Sequence, residues 1–560
     1  MENEESVSVI GVIPQYPNYS NVYSRVRMPP VGIVSVFSQL KDFGFKDLYI
    51  IDENNYSGPR VMDMPDHKFL QKKTPADIAM FYGGMSNSIP RMFYLARQYK
   101  QFGAITIAGG SHVDALPEEA LHSGIDVVVH GEGEETTKEI IKTISDNKID
   151  YDKLLNVKGI SVLDGDDYVF TGKREPIKHL DDLVDVDLDL ITNLEDKWTA
   201  IPVSRGRGCN FKCRFCTVNT LYGKYKAGSP EKALKQIIKH SEEGYKDFFI
   251  TDDNFAQNVG ETVGLCKLIG DYSRENKKKL KLTVQVRSEV AENDRLIDAM
   301  KYAGVKILAI GFESPINEDL RGMNKGVTVE QYVKRAKKLN DHFYLLGMFI
   351  FSYPTFKDSE YKSKLTLKDK AKEYIKFFRK AGIDIIQVLN AVPIPGTLLR
   401  SDLEKEGRIF PLEVVGWDKY GGQFLCYDPR PEGLDADELQ NVPRMLMKKW
   451  YLGNFINRNL NYKNWITYSY NALGFPILYS AFYTKRFFDN LFDKRSLEDS
   501  LIPKRNIFYE SLHNAWEIDI KKKWGSLFVK TYGGGIVRKW FREFKKSDYL
   551  EKIREFSRKE

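Results

Sequence analysis

Two runs of short apolar strands alternating with helical stretches leave this chain few folds to choose from. In the first run, residues 6–13 (SVSVIGVI), 47–52 (DLYIID), 77–84 (DIAMFYGG), 104–110 (AITIAGG) and 125–131 (IDVVVHG) read as strands. Helical patterns separate them: one opened by Met28-Pro29-Pro30-Val31-Gly32 and running to Leu40, then 89–102 and 117–122. Continuous apolar runs of this length suit strands buried on both faces. Their alternation with helices predicts an α/β fold with a doubly wound parallel sheet. The alternation resumes near Ala200 with IPVS, KDFFITDDNF, LKLTVQVRSE, VKILAIGFES, LLGMFIFSYP and IDIIQVLNAVPIPGT, and SPEKALKQIIKHSEEG is a capped amphipathic helix. Six strand–helix units suit a partial barrel, whose polar groups gather at the carboxyl ends of the strands. Asp252-Asp253, Arg287, Glu313, Gln387 and Asn390 fall at such ends.

Glycines mark one edge of the first sheet. Gly83-Gly84, Gly109-Gly110 and Gly131-x-Gly133 close three strands, followed by Met85-Ser86, Ser111-His112 and Glu132 to Glu134. Glycine ends many strands for conformational reasons alone. Three such turns on the edge where parallel sheets bind ligands point to a ligand site.

The second run opens on 204–218, SRGRGCNFKCRFCTV, which holds three of the five cysteines at Cys209, Cys213 and Cys216. A C-x3-C-x2-C spacing puts three thiolates on one compact loop. Four-cysteine spacings close a structural zinc tetrahedron or a complete cluster, whereas three leave a metal position open for chemistry. Zinc with a distant fourth ligand is the rival, but His179 and His240 lie well outside the loop. Core packing is a poor reading of a loop so rich in Arg, Lys and Gly.

With Phe215 before its third cysteine, this loop resembles that of the radical S-adenosylmethionine (SAM) enzymes. The resemblance implies a 4Fe–4S cluster on Cys209, Cys213 and Cys216, with one iron free to bind SAM and an electron that splits it to a 5′-deoxyadenosyl radical. It also implies that Glu313 accepts the ribose hydroxyls of SAM, which a carboxylate can do. Arg287 is a candidate for the SAM carboxylate, with Asp252 or Asp253 as its alternative partners. The pieces PPVGIVSVFSQLKDFGF, DLYIID, AGGSHVDALPEEAL and VVVHGEGEET resemble the cobalamin-binding domain that precedes the barrel in one large subgroup. That likeness, over about residues 6–140, implies cobalamin held by Gly84, Met85, Ser86, Gly109, Gly110, His112, Gly131, Glu132 and Gly133. The D-x-H-x-x-G motif is absent, which implies no protein histidine on cobalt; His112 and His130 are equally readable as local hydrogen-bonders.

The expected domains are 1–145 (cobalamin-binding), 146–197 (linker), 198–430 (radical SAM partial barrel) and 431–560 (mainly helical, basic and aromatic). The linker holds a small hairpin at Asp164-Gly165 and a stretch, LDDLVDVDLDL, read as solvated. The net charge of +7 is uneven: the last ~120 residues hold about 24 Lys and Arg against about 12 Asp and Glu. Residues 464–484 carry no charge, enough for a membrane span, but Gly474 and Pro476 favour a broken helix pair. Basic-aromatic segments beside them leave peripheral membrane contact open. The acidic, then strand-like N-terminus is neither a signal nor a transit peptide. The few cysteines suit a reducing compartment, so a cytoplasmic protein is expected, with the inner face of the membrane as its one peripheral site.

Together the resemblances imply methylation of an unactivated carbon in a small molecule or lipid, with a flavodoxin or ferredoxin as reductant. Cyclisation or oxidation on the same cofactors is the alternative. Nucleic acid is not an expected partner, because the methylthiotransferase branch carries three more N-terminal cysteines and none precedes Cys209 here. Cys266 and Cys426 read as core thiols. A cobalamin carrier with a vestigial barrel is opposed by the intact triad and Glu313.

Overall fold

The structure is a computed structural model that describes residues 7–17, 27–145, 148–459 and 548–559. Its first sheet has seven strands: β1 (Val9–Ile13), β2 (Leu48–Asp52), β3 (Ile78–Tyr82), β4 (Ile105–Gly109), β5 (Val127–Val129), β6 (Ile160–Asp164) and β7 (Asp167–Phe170). They lie in the order β7-β6-β5-β4-β3-β1-β2. The first five are parallel, and β6 and β7 add on antiparallel. The hairpin expected to be a separate connector therefore belongs to this sheet: Ile160 and Ser161 pair with Val129 and Val128. The near-continuous burial of β1 to β5 explains why their sequences are apolar throughout. The strand order reverses beside β1, and at such a switch point the loops diverge and leave a crevice.

The second sheet runs in chain order through β8 (Ile201–Val203), β11 (Asp247–Ile250), β12 (Lys281–Val286), β13 (Val305–Glu313), β14 (Tyr344–Phe351) and β15 (Ile385–Asn390), all parallel. Between β8 and β11 the two-residue strands β9 (Gly206–Arg207) and β10 (Lys226–Ala227) pair antiparallel and form the stem of the cysteine loop. Sequence chemistry sets the helix starts here. Ser229 caps helix α1 (Pro230–Glu242), and Thr328 with Gln331 makes a full capping box on α2 (Val329–Asn340).

The stretch read as a solvated linker is a packed strap. Leu180, Leu188, Leu190 and Ile191 are buried. Asp187 accepts from Lys41 of the first unit, and Lys232 of α1 donates to the carbonyls of Leu180, Asp181 and Leu183. Its acidic side chains face outward while its leucines face in, so composition alone concealed the packing. The last described helices are α3 (Ala436–Asn459) and α4 (Tyr549–Lys559). The uncharged run 464–484 lies outside the described residues. Among the described residues, no helix is long and apolar enough to cross a membrane.

Candidate functional site

The carboxyl edges of the two sheets face one another across a cavity of about 460 Å³, inside the ~300–1,000 Å³ range of cofactor pockets. One wall is the glycine edge: Gly84 and Met85 after β3, Gly109 and Gly110 after β4, and Gly131, Glu132 and Gly133 after β5. Met28 to Gly32 close its flank. The opposite wall comes from the second sheet and the cysteine loop: Arg207, Tyr222, Thr251, Asp253 and Gln285.

Gly110 is a backbone necessity. Its φ is +125°, and a Cβ there would lie 2.5 Å from the Gly84 nitrogen, so its absence lets two glycine turns touch. Ser86 and His112 stand behind this wall and do not line the cavity. The His112 ring is buried, with Nδ1 2.9 Å from Ser86 Oγ and Nε2 3.3 Å from Glu119. Its edge meets Trp417 from beyond the second sheet, whose indole donates to Glu119. Burial lowers its pKa against the pull of Glu119. His130 is likewise committed, to Asp114 and Ser161. Of the two readings the sequence left open for His112, the structure shows the local hydrogen-bonder, with Ser86 as its partner: both nitrogens of the ring are spent on tying loops together.

The cysteine loop is held by its own backbone. Gly208 (φ +85°) brings the chain so close to Lys224 that a Cβ would sit 2.6 Å from that residue's carbonyl oxygen. Asn219 donates to the carbonyls of Cys209 and Phe211, and Asn324 to that of Lys212. The Arg214 amide bonds the Met323 carbonyl, 3.1 Å away. Cys209, Cys213 and Cys216 are half-buried free thiols. Burial pushes the Cys216 thiol up to about 11 and raises that of Cys209, with neighbouring Cys213 adding to both. Burial thus disfavours the thiolate forms of Cys209 and Cys216, which a bound metal would restore. Among the described residues, no three His, Cys, Asp or Glu side chains converge as ligands of a metal ion. Asp253 joins loop and cavity: it lines the cavity and accepts from the Gly208 amide at 3.0 Å, while burial pushes its carboxyl up to about 6.

Beside the loop, Glu313 ends β13 with φ +61°, at a shift in register against β14. Lys325 Nζ lies 2.9 Å from its Oε1, the pair almost wholly buried. Arg287 pairs with Glu289 at 2.8 Å, donates to the Lys325 carbonyl and stacks on Phe211 at 3.7 Å. Neither Asp252 nor Asp253 is its partner. Asp252 is wholly buried and accepts from the Arg205 and Gly206 amides. Phe215 packs against the core with the Lys325 ammonium 5.9 Å from its ring. The structure thus gathers the cysteines, Phe215, Arg287 and Glu313 at one focus, and Gly84, Met85, Gly109, Gly110, Gly131, Glu132 and Gly133 at the other. Sequence reasoning missed Arg207, whose partner Glu132 lies 75 residues away, Lys325, which sits in a turn 12 residues beyond Glu313, and Tyr222. For Met28 to Gly32 the signal was present, since the Pro-Pro-Val-Gly run opens the stretch that resembles a cobalamin-binding domain.

The sequence matches the radical SAM superfamily over residues 203–367 and the B12 binding domain over residues 22–141. It is similar to an uncharacterised methyltransferase of Pyrococcus horikoshii, 30% identical over 304 residues that make up 52% of this chain and 61% of that protein. It is also similar to the anaerobic magnesium-protoporphyrin IX monomethyl ester cyclase of Cereibacter sphaeroides, 25% identical over 78% of this chain and 70% of that one. The chain therefore spans about three fifths of the first relative and about 70% of the second. In fold it resembles the cobalamin-dependent SAM radical enzyme OxsB, with a TM-score of 0.58 at 15% identity, over 96% of this chain and 84% of that one. The cavity with its glycine wall and the loop with its three thiols suit the groups these two domains imply: cobalamin, a 4Fe–4S cluster and SAM. With these two matches on facing sheet edges, the chain joins a B12 binding domain to a radical SAM domain.

Proposed function

We propose that this protein methylates an unactivated carbon of a small molecule or lipid. The carrying observation is the shared cavity, with the glycine loops on one wall and the stem of the cysteine loop on the other. When bound, the cluster, SAM and cobalamin supply a radical that removes a hydrogen atom from carbon and a methyl group to take its place. Cys209, Cys213 and Cys216 would hold the cluster. Asn219 and Asn324 fix the carbonyls of that loop, so the thiols are presented with little reorganisation. Glu313 would accept the ribose hydroxyls of SAM. Lys325 holds that carboxylate in place until then. Arg287 serves the site by supporting Phe211 and the 325 turn, with its Nε and Nη2 donors given to Glu289 and the Lys325 carbonyl. Apolar Met28, Pro29 and Pro30 restrict water at the cavity flank. Gly84, Met85, Gly109, Gly110, Gly131 and Gly133 would let the corrin approach the backbone.

Electrons would come from a flavodoxin or ferredoxin, in the cytoplasm or at the inner membrane face. The similarity to a cyclase along 78% of the chain gives ring formation as the second reading. Product mass separates the two: one added methylene unit marks methyl transfer, and loss of hydrogen or gain of oxygen marks the cyclase branch. Anaerobically reconstituted protein, given reductant and SAM, is expected to release 5′-deoxyadenosine, and Cys213→Ala to reduce this to background. Full release from the variant would refute the cluster assignment.

A further inference from the structure

Both legs of the cysteine loop are fastened to one carboxylate on the opposite wall of the cavity. Arg207, in the leg that enters the loop, lies with Nη1 2.8 Å from Glu132 Oε1. Lys226, in the leg that leaves it, donates to Glu132 Oε2 and to the carbonyl of Ile177. The second guanidinium arm reaches Glu134 Oε1, which also accepts from Ser35 Oγ at 2.8 Å. The Ile177 amide completes Glu132 at 2.9 Å. These are buried ions: the side chains of Glu132 and Glu134 are 7% and 3% exposed, and that of Arg207 is 14% exposed. The strands that carry Arg207 and Lys226 pair with each other at those two residues.

From this geometry we infer that Glu132, Glu134, Arg207 and Lys226 form a clamp that sets the distance and tilt of the cysteine loop against the cobalamin wall. The inference rests on the two-cofactor reading above, and it makes Glu132 a positioning residue in place of the cofactor contact expected from sequence. A planar guanidinium gripping two carboxylates fixes an angle as well as a separation, which an ammonium does not. Two cations and two carboxylates balance, so the lattice spends its charge internally and offers none to a ligand. Its motion passes directly to the thiols. Only Gly208 separates Arg207 from Cys209, and that glycine is wedged against the returning leg at Lys224.

The test is dipolar electron paramagnetic resonance on the reconstituted holoprotein, measuring the separation of cob(II)alamin from the reduced cluster. Only molecules holding both groups give the signal, so partial loading does not distort it. The wild type is expected to show one narrow distribution. Arg207→Lys, which keeps the charge but loses the fork, and Glu132→Gln, which keeps the shape but loses the charge, are both expected to broaden it. Methylation of the bound cobalamin by SAM should slow by roughly a hundredfold in Glu132→Gln, the scale of a reacting pair misplaced by about 1 Å. A lower melting temperature with an unchanged distribution in both variants would overturn the clamp, leaving only a structural role. So would loss of cobalamin from Glu132→Gln with Arg207→Lys unaltered, because that pattern belongs to a direct contact. If the wild type holds no cobalamin or no cluster, the two-cofactor reading fails and the clamp falls with it. Should the wild type hold both, the variants judge the clamp alone.

Discussion

Glu313 occupies a backbone conformation that costs a non-glycine residue about 1–3 kcal/mol, and the cost has a visible counterpart. Its side chain folds back over Gly311, where a Cβ would stand 2.2 Å from Glu313 Oε1 and 3.3 Å from Lys325 Nζ. Gly311 is therefore the residue that gives the carboxylate its place. A Glu carboxylate can swing aside cheaply, so Gly311→Ala disturbs its position more than the stability of the fold. Gly311→Ala and Glu313→Gln are each expected to weaken SAM binding by about tenfold, the loss of roughly one charge-assisted hydrogen bond. Equilibrium binding to reconstituted protein measures it, and unaltered affinity in Glu313→Gln would remove Glu313 from the SAM site. Residues of this kind differ in how far the sequence discloses them. Glu313 and the cysteines stand in short local patterns at the end of a readable strand. Arg207 and Lys226 gave no such signal, because their carboxylate lies 75 and 94 residues away. His112 stayed ambiguous for the same reason: a histidine beside glycines reads as ligand or as hydrogen-bonder until Ser86 and Glu119 are seen on its two nitrogens.

The glycine turns act as elements, since each positions its neighbour. Gly110 touches Gly84, and Ser111 Oγ donates to the Gly84 carbonyl at 2.8 Å, so β3 and β4 present their turns as one surface. Gly110→Val adds a Cβ that separates them. Cobalamin uptake is expected to fall while iron content stays at the wild-type level, and equal cobalamin content would displace the corrin from this wall. The outer edge of the same sheet is anchored differently, by Glu53 just beyond β2. Its wholly buried carboxylate meets Arg91 and His67. Burial alone would raise the Glu53 pKa, but hydrogen bonds and charge from His67 and Arg91 overcome it and hold the group at about 2. An unfolded Glu titrates near 4.3, so the stabilisation is complete above about pH 4.3 and drains away as pH falls toward 2. Glu53→Gln should cost about 3–5 kcal/mol at neutral pH, as for a broken buried ion pair. Denaturant melts at a series of pH values should show that deficit shrinking below about pH 4. A deficit constant down to pH 2.5 would sink the ionic account. The strands themselves were legible because burial on both faces leaves an apolar run. The added hairpin β6–β7 was legible as a hairpin, but not as an edge of this sheet, because pairing between Val129 and Ile160 leaves no local trace.

On the scale of the whole molecule, what matters is that two parallel sheets are turned edge to edge. Each carboxyl edge is a ligand-binding edge in its own right. Facing each other, with the strap from Leu180 to Ile191 packed along both, they make one cavity from residues more than 200 positions apart, as Gly32 and Gln285 show. Sequence patterns disclosed each edge separately but not that they meet, since no periodicity encodes the orientation of one sheet toward another. The juxtaposition has a direct consequence for exchange of backbone hydrogens. If cobalamin fills the shared cavity, its binding must protect peptides from both units: the turns around Gly84, Gly110 and Gly133, and equally the segments around Tyr222, Thr251 and Gln285. At free cobalamin a hundred times its Kd, linkage allows up to about 2.7 kcal/mol of protection, or roughly a hundredfold slower exchange where opening requires release. Hydrogen-exchange mass spectrometry with and without hydroxocobalamin reads this directly. Protection confined to the first sheet would mean that the corrin touches one edge only, and the face bearing the cysteine loop would then have to find its methyl donor some other way.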